Sequence, residues 1–364
     1  MNSNKTEIEQ KIEVIKIAVD MHLASYRVVR QLDHSAPQPA QKFNPEAFIP
    51  WLRKQVQLAA RVVVCYEAGC FGFGPARRMR ETGAEVLVIA PQNWDEQGKR
   101  QVNDRVDATV MCARLSQYLE GHRKALCPVA IPTPQEEERR AQGRFRDQLR
   151  KEVRRLQARG RSLLLLQEIA VRGRWWRGKT WTLVREKTPA WVQHQLEVWK
   201  ELIERFEARA RDVEAKLRQE ASAQPPLFFG QGTLTSQMLE RELLNPQRFN
   251  NGRQVGNYFG LCPSESTTSD KRRLGSITKR GNCRLRRLMI ELSWRVVRYQ
   301  PDYQGAQKFL PVLRDRTASG GARKKAIVAV ARHLAVDLWR MQTGRRTAAQ
   351  LGLSPAAPCL APER

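Results

Sequence analysis

Four carboxylates in this chain stand where chemistry can be done. Asp104 and Asp107 lie three apart in VNDRVDATVMCARLSQYL, residues 102–119, and that step turns two helical side chains to one face. Asn103 is a suitable N-cap, which puts both acids in the first turn, where the helix dipole favours negative charge. Alone, such a D-x-x-D does no more than complement the dipole. Two earlier acids change the reading, because Asp20 and Glu67 each end an apolar run of strand character, EVIKIAVD and RVVVCYE. Four acids brought to one sheet edge supply hard oxygen ligands suited to Mg2+, which takes few carboxylates and keeps waters for a substrate phosphate to displace. Two such ions about 3.5 to 4 Å apart steady the attacking and leaving oxygens of phosphodiester cleavage. Without metal, or Lys and Arg nearby, the cluster would repel itself. The alternative of four unrelated surface acids sits poorly with two of them ending buried strands.

The elements that must carry these acids follow from periodicity. Residues 13–20 and 26–32 alternate apolar and polar as half-buried strands do, while 61–67 and 85–90 are near-continuous apolar runs of the kind covered on both faces. Between them, 45–56 reads as a helix with Asn44 as N-cap, Pro45 at its first position and Phe48, Trp51 and Leu52 on one face. Strands alternating with helices predict an α/β layer whose sites gather at the carboxyl ends of the strands. Gly69, Gly72 and Gly74 follow a strand, but in the order G-x-x-G-x-G, and the next strand ends at Ala90-Pro91 with no ribose-binding acid. A tight turn explains them better than a dinucleotide.

Thr133-Pro134-Gln135-Glu136 is a capping box that opens a long helix with a stripe of Phe145, Leu149, Val153 and Leu156. Trp175, Trp176 and Trp181 then stand among arginines, either to stack on bases or to anchor helix packing. A second long amphipathic helix carries Leu196, Trp199, Ile203, Phe206, Val213 and Leu217, so the pair predicts an antiparallel hairpin or an intersubunit coiled coil. Gln224-Pro225-Pro226 ends it. Helices over 235–244, 253–259 and 326–341 predict a mainly α final domain, with an Ala/Pro tail left disordered. The expected divisions are 1–130, 131–223, 224–345 and 346–364. Between Lys271 and Arg298 ten cations face the single acid Glu291. A solvated face would mix its signs, so Lys271, Arg272, Arg273, Lys279, Arg280, Arg284, Arg286 and Arg287 are expected to contact phosphates.

Composition agrees. A chain of 364 residues with net charge +27 and pI near 10.5 calls for a polyanionic partner, nucleic acid before an anionic membrane surface. No apolar stretch approaches the roughly 18 to 20 residues a membrane span needs, and MNSNKTEIEQK is unlike a signal peptide. Seven cysteines with no C-x-x-C spacing indicate neither zinc nor a disulfide framework, so a reducing cytoplasm is expected.

The order Asp20, Glu67, Asp104, Asp107, the strings VDMH, YEAG and NDRVDA, and the later GLCPSE and GSITKRGN resemble the DEDD transposases of bacterial insertion sequences, relatives of the Piv/MooV DNA invertases. The resemblance runs from about Ile12 to Met341. It implies an α/β RuvC-like domain of RNase H fold, a helical coiled-coil linker and a mainly α C-terminal transposase domain. It also implies Mg2+ at the four acids, donor and target DNA, a structured bridge RNA that pairs with both, and a homo-oligomeric synaptic complex, a dimer or tetramer. The family's serine nucleophile falls, by its spacing from Pro263, on Thr268, with Ser269 next and Ser266 two before. A threonine hydroxyl is bulkier and weaker, and either hydroxyl needs an activating base or metal. Two other readings stay open, a RuvC-like structure-specific nuclease needing only the acids and a catalytically silent nucleic-acid-binding protein.

Overall fold

The computed structural model describes residues 12–91, 104–220, 226–268 and 271–356, with side chains for all of these but 104–106, 266–268, 271 and 272. It divides into two compact units, Met1–Thr133 and Pro134–Arg364.

The first unit is built on five strands, β1 (Ile12–Met21), β2 (Tyr26–Leu32), β3 (Gln41–Phe43), β4 (Ala59–Glu67) and β5 (Glu85–Ile89), in the order β3-β2-β1-β4-β5. β2 runs antiparallel to β1 and to β3, while β1, β4 and β5 are mutually parallel. Period-two alternation splits the sheet cleanly. Ile15, Ile17, Val19, Val62, Val64 and Tyr66 point to one face, where Phe48 and Leu52 of α1 (Pro45–Leu58) and Met79 of α2 (Gly74–Arg80) cover them. Ala18, Val63, Cys65 and Ile89 point to the other, under Ala108, Met111, Cys112 and Leu115 of α3 (Asp104–Leu119). Asn44 caps α1 as expected, its side chain accepting from the Glu46 amide. β3 and α2 are additions to the sequence reading, one too short and the other too closely preceded by glycines to show a period.

The second unit is mostly helical. α4 (Pro134–Leu166) and α6 (Ala190–Gln219) lie side by side. Arg146 and Arg150 near the middle of α4 pair with Glu214 near the end of α6, while Leu163 and Leu164 at the end of α4 share a buried cluster with Val192 and Leu196 at the start of α6, so the two run antiparallel within one chain. Of the predicted α4 stripe, Leu149, Val153 and Leu156 are buried, but Phe145 is 49 % exposed because Gly143 and Asp147 take the inward positions. The tryptophans ahead of α5 (Gly178–Lys187) are packing anchors: Trp175 and Trp176 are fully buried and Trp175 Nε1 donates to the Gln157 carbonyl at 3.1 Å. A Cβ on Gly160 would stand 2.1 Å from the Trp175 ring, so α4 needs glycine there to admit it.

The chain continues through α7 (Thr233–Leu243), α8 (Gly252–Tyr258), β6 (Pro263–Thr268), β7 (Lys271–Ile277), α9 (Cys283–Tyr299), α10 (Gln304–Gln307), α11 (Leu310–Arg314) and α12 (Gly320–Gln342). Leu285, Met289, Leu292, Val330 and Leu334 are at the centre of this core. The antiparallel β6–β7 hairpin is a departure from the mainly α expectation, because PSESTT and KRRLGSI carry no buried alternation to announce strands. The expected 346–364 tail is corrected only in its first part, up to Ser354. Leu351 and Leu353 are buried, the Phe229 amide donates to the Ser354 carbonyl, and the Ser354 amide donates to Gln300 Oε1, so the chain is packed down beyond residue 350. Residues 357–364 lie outside the described ones.

Candidate functional site

The register of the parallel strands brings two of the four acids together at one edge. Val19 of β1 pairs with Tyr66 of β4, so Asp20 and Glu67 are the next residues on adjacent strands. Alternation gives both of them to the α3 face, since Ala18 and Cys65, two residues earlier, pack under that helix. Asp20 is one-quarter exposed and its Oδ2 lies 3.2 Å from His22 Nε2, while Glu67 is half-buried as the last residue of β4.

What positions α3 over this edge is a buried lysine. Lys16 is only 2 % exposed, and its Nζ donates to the Asp33 carbonyl at 2.9 Å and to Ser116 Oγ at 2.7 Å, with Glu120 Oε1 at 3.5 Å. Cys112 Sγ approaches the Lys16 carbonyl at 3.9 Å. The C-terminal half of α3 is therefore tied to the middle of β1, and its first turn extends toward the strand's carboxyl end. At ~1.5 Å per helical residue Asp104 is ~12 Å beyond Cys112, and at ~3.3 Å per strand residue Asp20 is ~13 Å beyond Lys16. The first helical turn is thus level with Asp20 and Glu67 along the sheet. Asp107 is half-buried, the side chain of Asp104 is outside those described, and the expected cap Asn103 lies outside the described residues altogether.

Among the described residues no three of His, Cys, Asp and Glu form a group able to hold a metal ion. The donor types are those that Mg2+ accepts, and that ion needs only one or two protein carboxylates beside its waters and substrate phosphates. Little in the sequence warns of Lys16. Its signal is a lysine at an inward position of the alternation in EVIKIAVD.

In the second unit the candidate hydroxyls ride on the hairpin. Thr268 ends β6 opposite Lys271, and Ser266 pairs with Arg273 two steps earlier. Their side chains, and the whole of Ser269, are outside the described set. The base of the hairpin is firmly held. The Thr278 amide donates to the Cys262 carbonyl, the Asn282 amide donates to the Tyr258 carbonyl, and Asn282 Oδ1 caps α9 by accepting from the Arg284 and Leu285 amides. Asn282 Nδ2 also donates to Glu242 Oε2 at 3.0 Å, and Tyr258 hydroxyl to the Glu242 carbonyl.

Glu242 is the buried acid at the centre of this arrangement. Burial by itself would push its carboxyl up, but hydrogen bonds from Arg144 and Asn282, with Arg140 alongside, hold it below the usual glutamate value.

The eight expected phosphate-contacting cations divide into two groups. Arg273, Lys279 and Arg280 are exposed, and Lys271 and Arg272 belong to β7 with side chains outside the described set. The other three are engaged by the protein itself. Arg287 donates to Asp147 Oδ2 at 2.6 Å, Arg284 lies 3.6 Å from Asp147 and 3.7 Å from Glu242, and Arg286 donates to the Lys279 and Phe259 carbonyls. For Arg284 and Arg287 the physical cause is that Asp147 and Glu242 are buried, and a buried carboxylate requires a paired cation, whereas Arg286 is held by main-chain carbonyls.

Residues 228–307, which span α7, the hairpin and α9, match the family model described as Transposase IS116/IS110/IS902 family. Three curated relatives agree. A Sinorhizobium fredii protein, y4rJ, described as a transposase, is 28 % identical with 76 % of each chain covered. A Pseudomonas aeruginosa protein described as a probable family 20 transposase is 29 % identical over 61 % of this chain and 68 % of its own. The transposase for insertion sequence element IS1328 of Yersinia enterocolitica is 28 % identical over 64 % of this chain and 70 % of its own. No helix among the described residues is long and apolar enough to cross a membrane.

Proposed function

We propose that this chain, an insertion-sequence transposase of the IS116/IS110/IS902 kind by these matches, cuts and rejoins DNA strands through a hydroxyl of its C-terminal hairpin and the four acids of its first unit. The first unit is read as RuvC-like. The observation that carries this is the neighbouring position of Asp20 and Glu67 on one face at the carboxyl ends of β1 and β4, with the first turn of α3 level with them. Asp20, Glu67, Asp104 and Asp107 would hold Mg2+, which when bound neutralises charge developing on the scissile phosphate.

The hydroxyl of Thr268 or Ser269 attacks phosphorus. It gives up its proton as the new P–O bond forms, and a bridging P–O bond of the DNA breaks to leave a strand hydroxyl. A second strand's hydroxyl then reverses the exchange and frees the protein. The acids must reach the same phosphate as the hydroxyl, whether they come from one copy of the chain or from two. A structured bridge RNA that pairs with donor and target, and assembly as a homo-oligomer, belong to the same reading. They rest on the family resemblance and, for the RNA, on the excess of positive charge.

Trapping the protein–DNA adduct and mapping the modified peptide tests the hydroxyl. Modification of Thr268 or Ser269 is expected, and its loss, together with loss of cutting, in the double variant Thr268→Ala, Ser269→Ala. Continued cutting by that variant without an adduct would favour a nuclease that needs only the acids, and an adduct elsewhere would reassign the nucleophile.

A further inference from the structure

A second basic surface, remote in sequence from the 271–298 run, lies on α8 and α12. Gly252 and Gly256 stand one turn apart on α8. A Cβ at Gly252 would come within 2.8 Å of Val336, and one at Gly256 within 2.9 Å of Cys262 Sγ and 3.6 Å of Arg332 Nε. These glycines let α8 and α12 approach closely, with Arg332 lying across Gly256. What remains beside them is an open groove of about 840 Å3 that reaches from Pro263 and Glu265, at the start of the hairpin, along α12 past Arg332 and His333 to Arg340. A smaller hollow of about 310 Å3 shares Gly252 and Arg340 and continues to Arg345 and Arg346.

The charge is one-sided. Arg253, Arg332 and Arg346 have no carboxylate partner among the described residues. Two acids stand here: Asp337 accepts from the Tyr303 hydroxyl and Arg340, and Glu265 lines the groove at the hairpin end. Of the two rings along the groove only His333 is exposed, and Trp339 offers no face for stacking. Trp339 is buried, donates to the Pro246 carbonyl and carries Arg345 at 4.2 Å from its centroid, and His333 leans against Phe309. A lining of several arginines with one exposed ring suits repeated phosphates better than a run of stacked bases.

We infer that this groove binds the sugar–phosphate backbone of a nucleic acid strand, with Arg332 and Arg346 as its principal phosphate contacts, and leads that strand to the β6–β7 hairpin. The inference deepens the proposed function and rests on it only for the strand's destination. His333 supplies a reporter. Burial, and then Arg332, Arg340 and Lys308 against the counter-pull of Asp337, hold its imidazole below the ordinary value, so a phosphodiester in the groove moves its titration upward.

The full chain, with Arg332→Gln and Arg346→Gln combined, is compared with the unsubstituted protein for binding of labelled single-stranded DNA, single-stranded RNA and duplex DNA across a salt series. Loss of two phosphate contacts lowers the slope of log K against log salt by about 1.4 for a single strand or about 1.8 for a duplex. The pair Arg332→Lys, Arg346→Lys keeps the slope and controls for folding. A change confined to RNA or to DNA identifies the strand that lies there, and a change for both supports the groove equally. In parallel, the His333 ring resonances are titrated by NMR with and without a saturating oligonucleotide, and the midpoint is expected to rise on binding. An unchanged slope for all three probes overturns the inference, as does a His333 titration that nucleic acid leaves unmoved. Neither result bears on adduct formation at Thr268 or Ser269, so failure here and failure of the proposed chemistry are separable.

Discussion

Arg280 and Arg287 come from one basic run of sequence and do different work. Arg280, with Arg273 and Lys279, is exposed around the hairpin, whereas Arg287, with Arg284, turns onto Asp147 and Glu242. The difference is not in the arginines. α4 and α7 present buried carboxylates to α9 and none of the described ones pairs with Arg273 or Arg280, and a carboxylate withdrawn from water holds a cation far more tightly than an exposed pair does. A net charge of +27 therefore overstates what is available to nucleic acid, because part of it neutralises acids inside the second unit.

The comparison is broken most forcefully at Glu242. Glu242→Gln leaves Arg140, Arg144 and Arg284 without their shared counter-ion, and denaturant unfolding is expected to show a loss of about 3–5 kcal/mol. A loss within about 0.5 kcal/mol, as at an ordinary surface position, would mean that α9 is not held by this acid. The pH dependence has a definite sign. The Glu242 carboxyl is depressed in the fold, so its contribution is present above the ordinary glutamate value and lost as pH falls through the folded one. Stability of the Gln variant is expected to fall less steeply in acid than that of the parent.

The next effect separates the two groups of arginines directly. Replacing Arg284 and Arg287 by Gln is expected to lower stability by about 1–3 kcal/mol, since their buried acceptors lose partners. Replacing Arg273 and Arg280 by Gln should leave the melting curve in place and reduce the salt slope of duplex DNA binding by about 1.8. Equal behaviour of the two pairs in both measurements would dissolve the distinction.

How far the sequence discloses this division depends on which interactions are local. The strands ending at Asp20 and Glu67 were legible because alternation and apolar runs are written in adjacent residues, and the N-cap Asn44 for the same reason. The α4 and α6 helices are legible as amphipathic, but in sequence Trp175 and Trp176 suit bases and packing equally, and what decides for packing is their burial and the space that Gly160 leaves for Trp175. The destinations of Arg284 and Arg287 were hidden because Asp147 is far away in the chain, on α4. The hairpin was hidden too, for its strands bury little, and Leu274 is 56 % exposed.

The central claim is that carboxylates at the ends of β1 and β4 drive strand exchange. Its most direct test is Asp20→Asn in the full chain, scored by transposition of a plasmid-borne copy of the whole element, with DNA binding and thermal melting measured on the same purified variant. The account predicts that melting and binding stay close to the parent while transposition falls by roughly a hundredfold or more, the scale of several kcal/mol of lost transition-state stabilisation. Transposition at the parent's frequency from a folded Asn variant would contradict it.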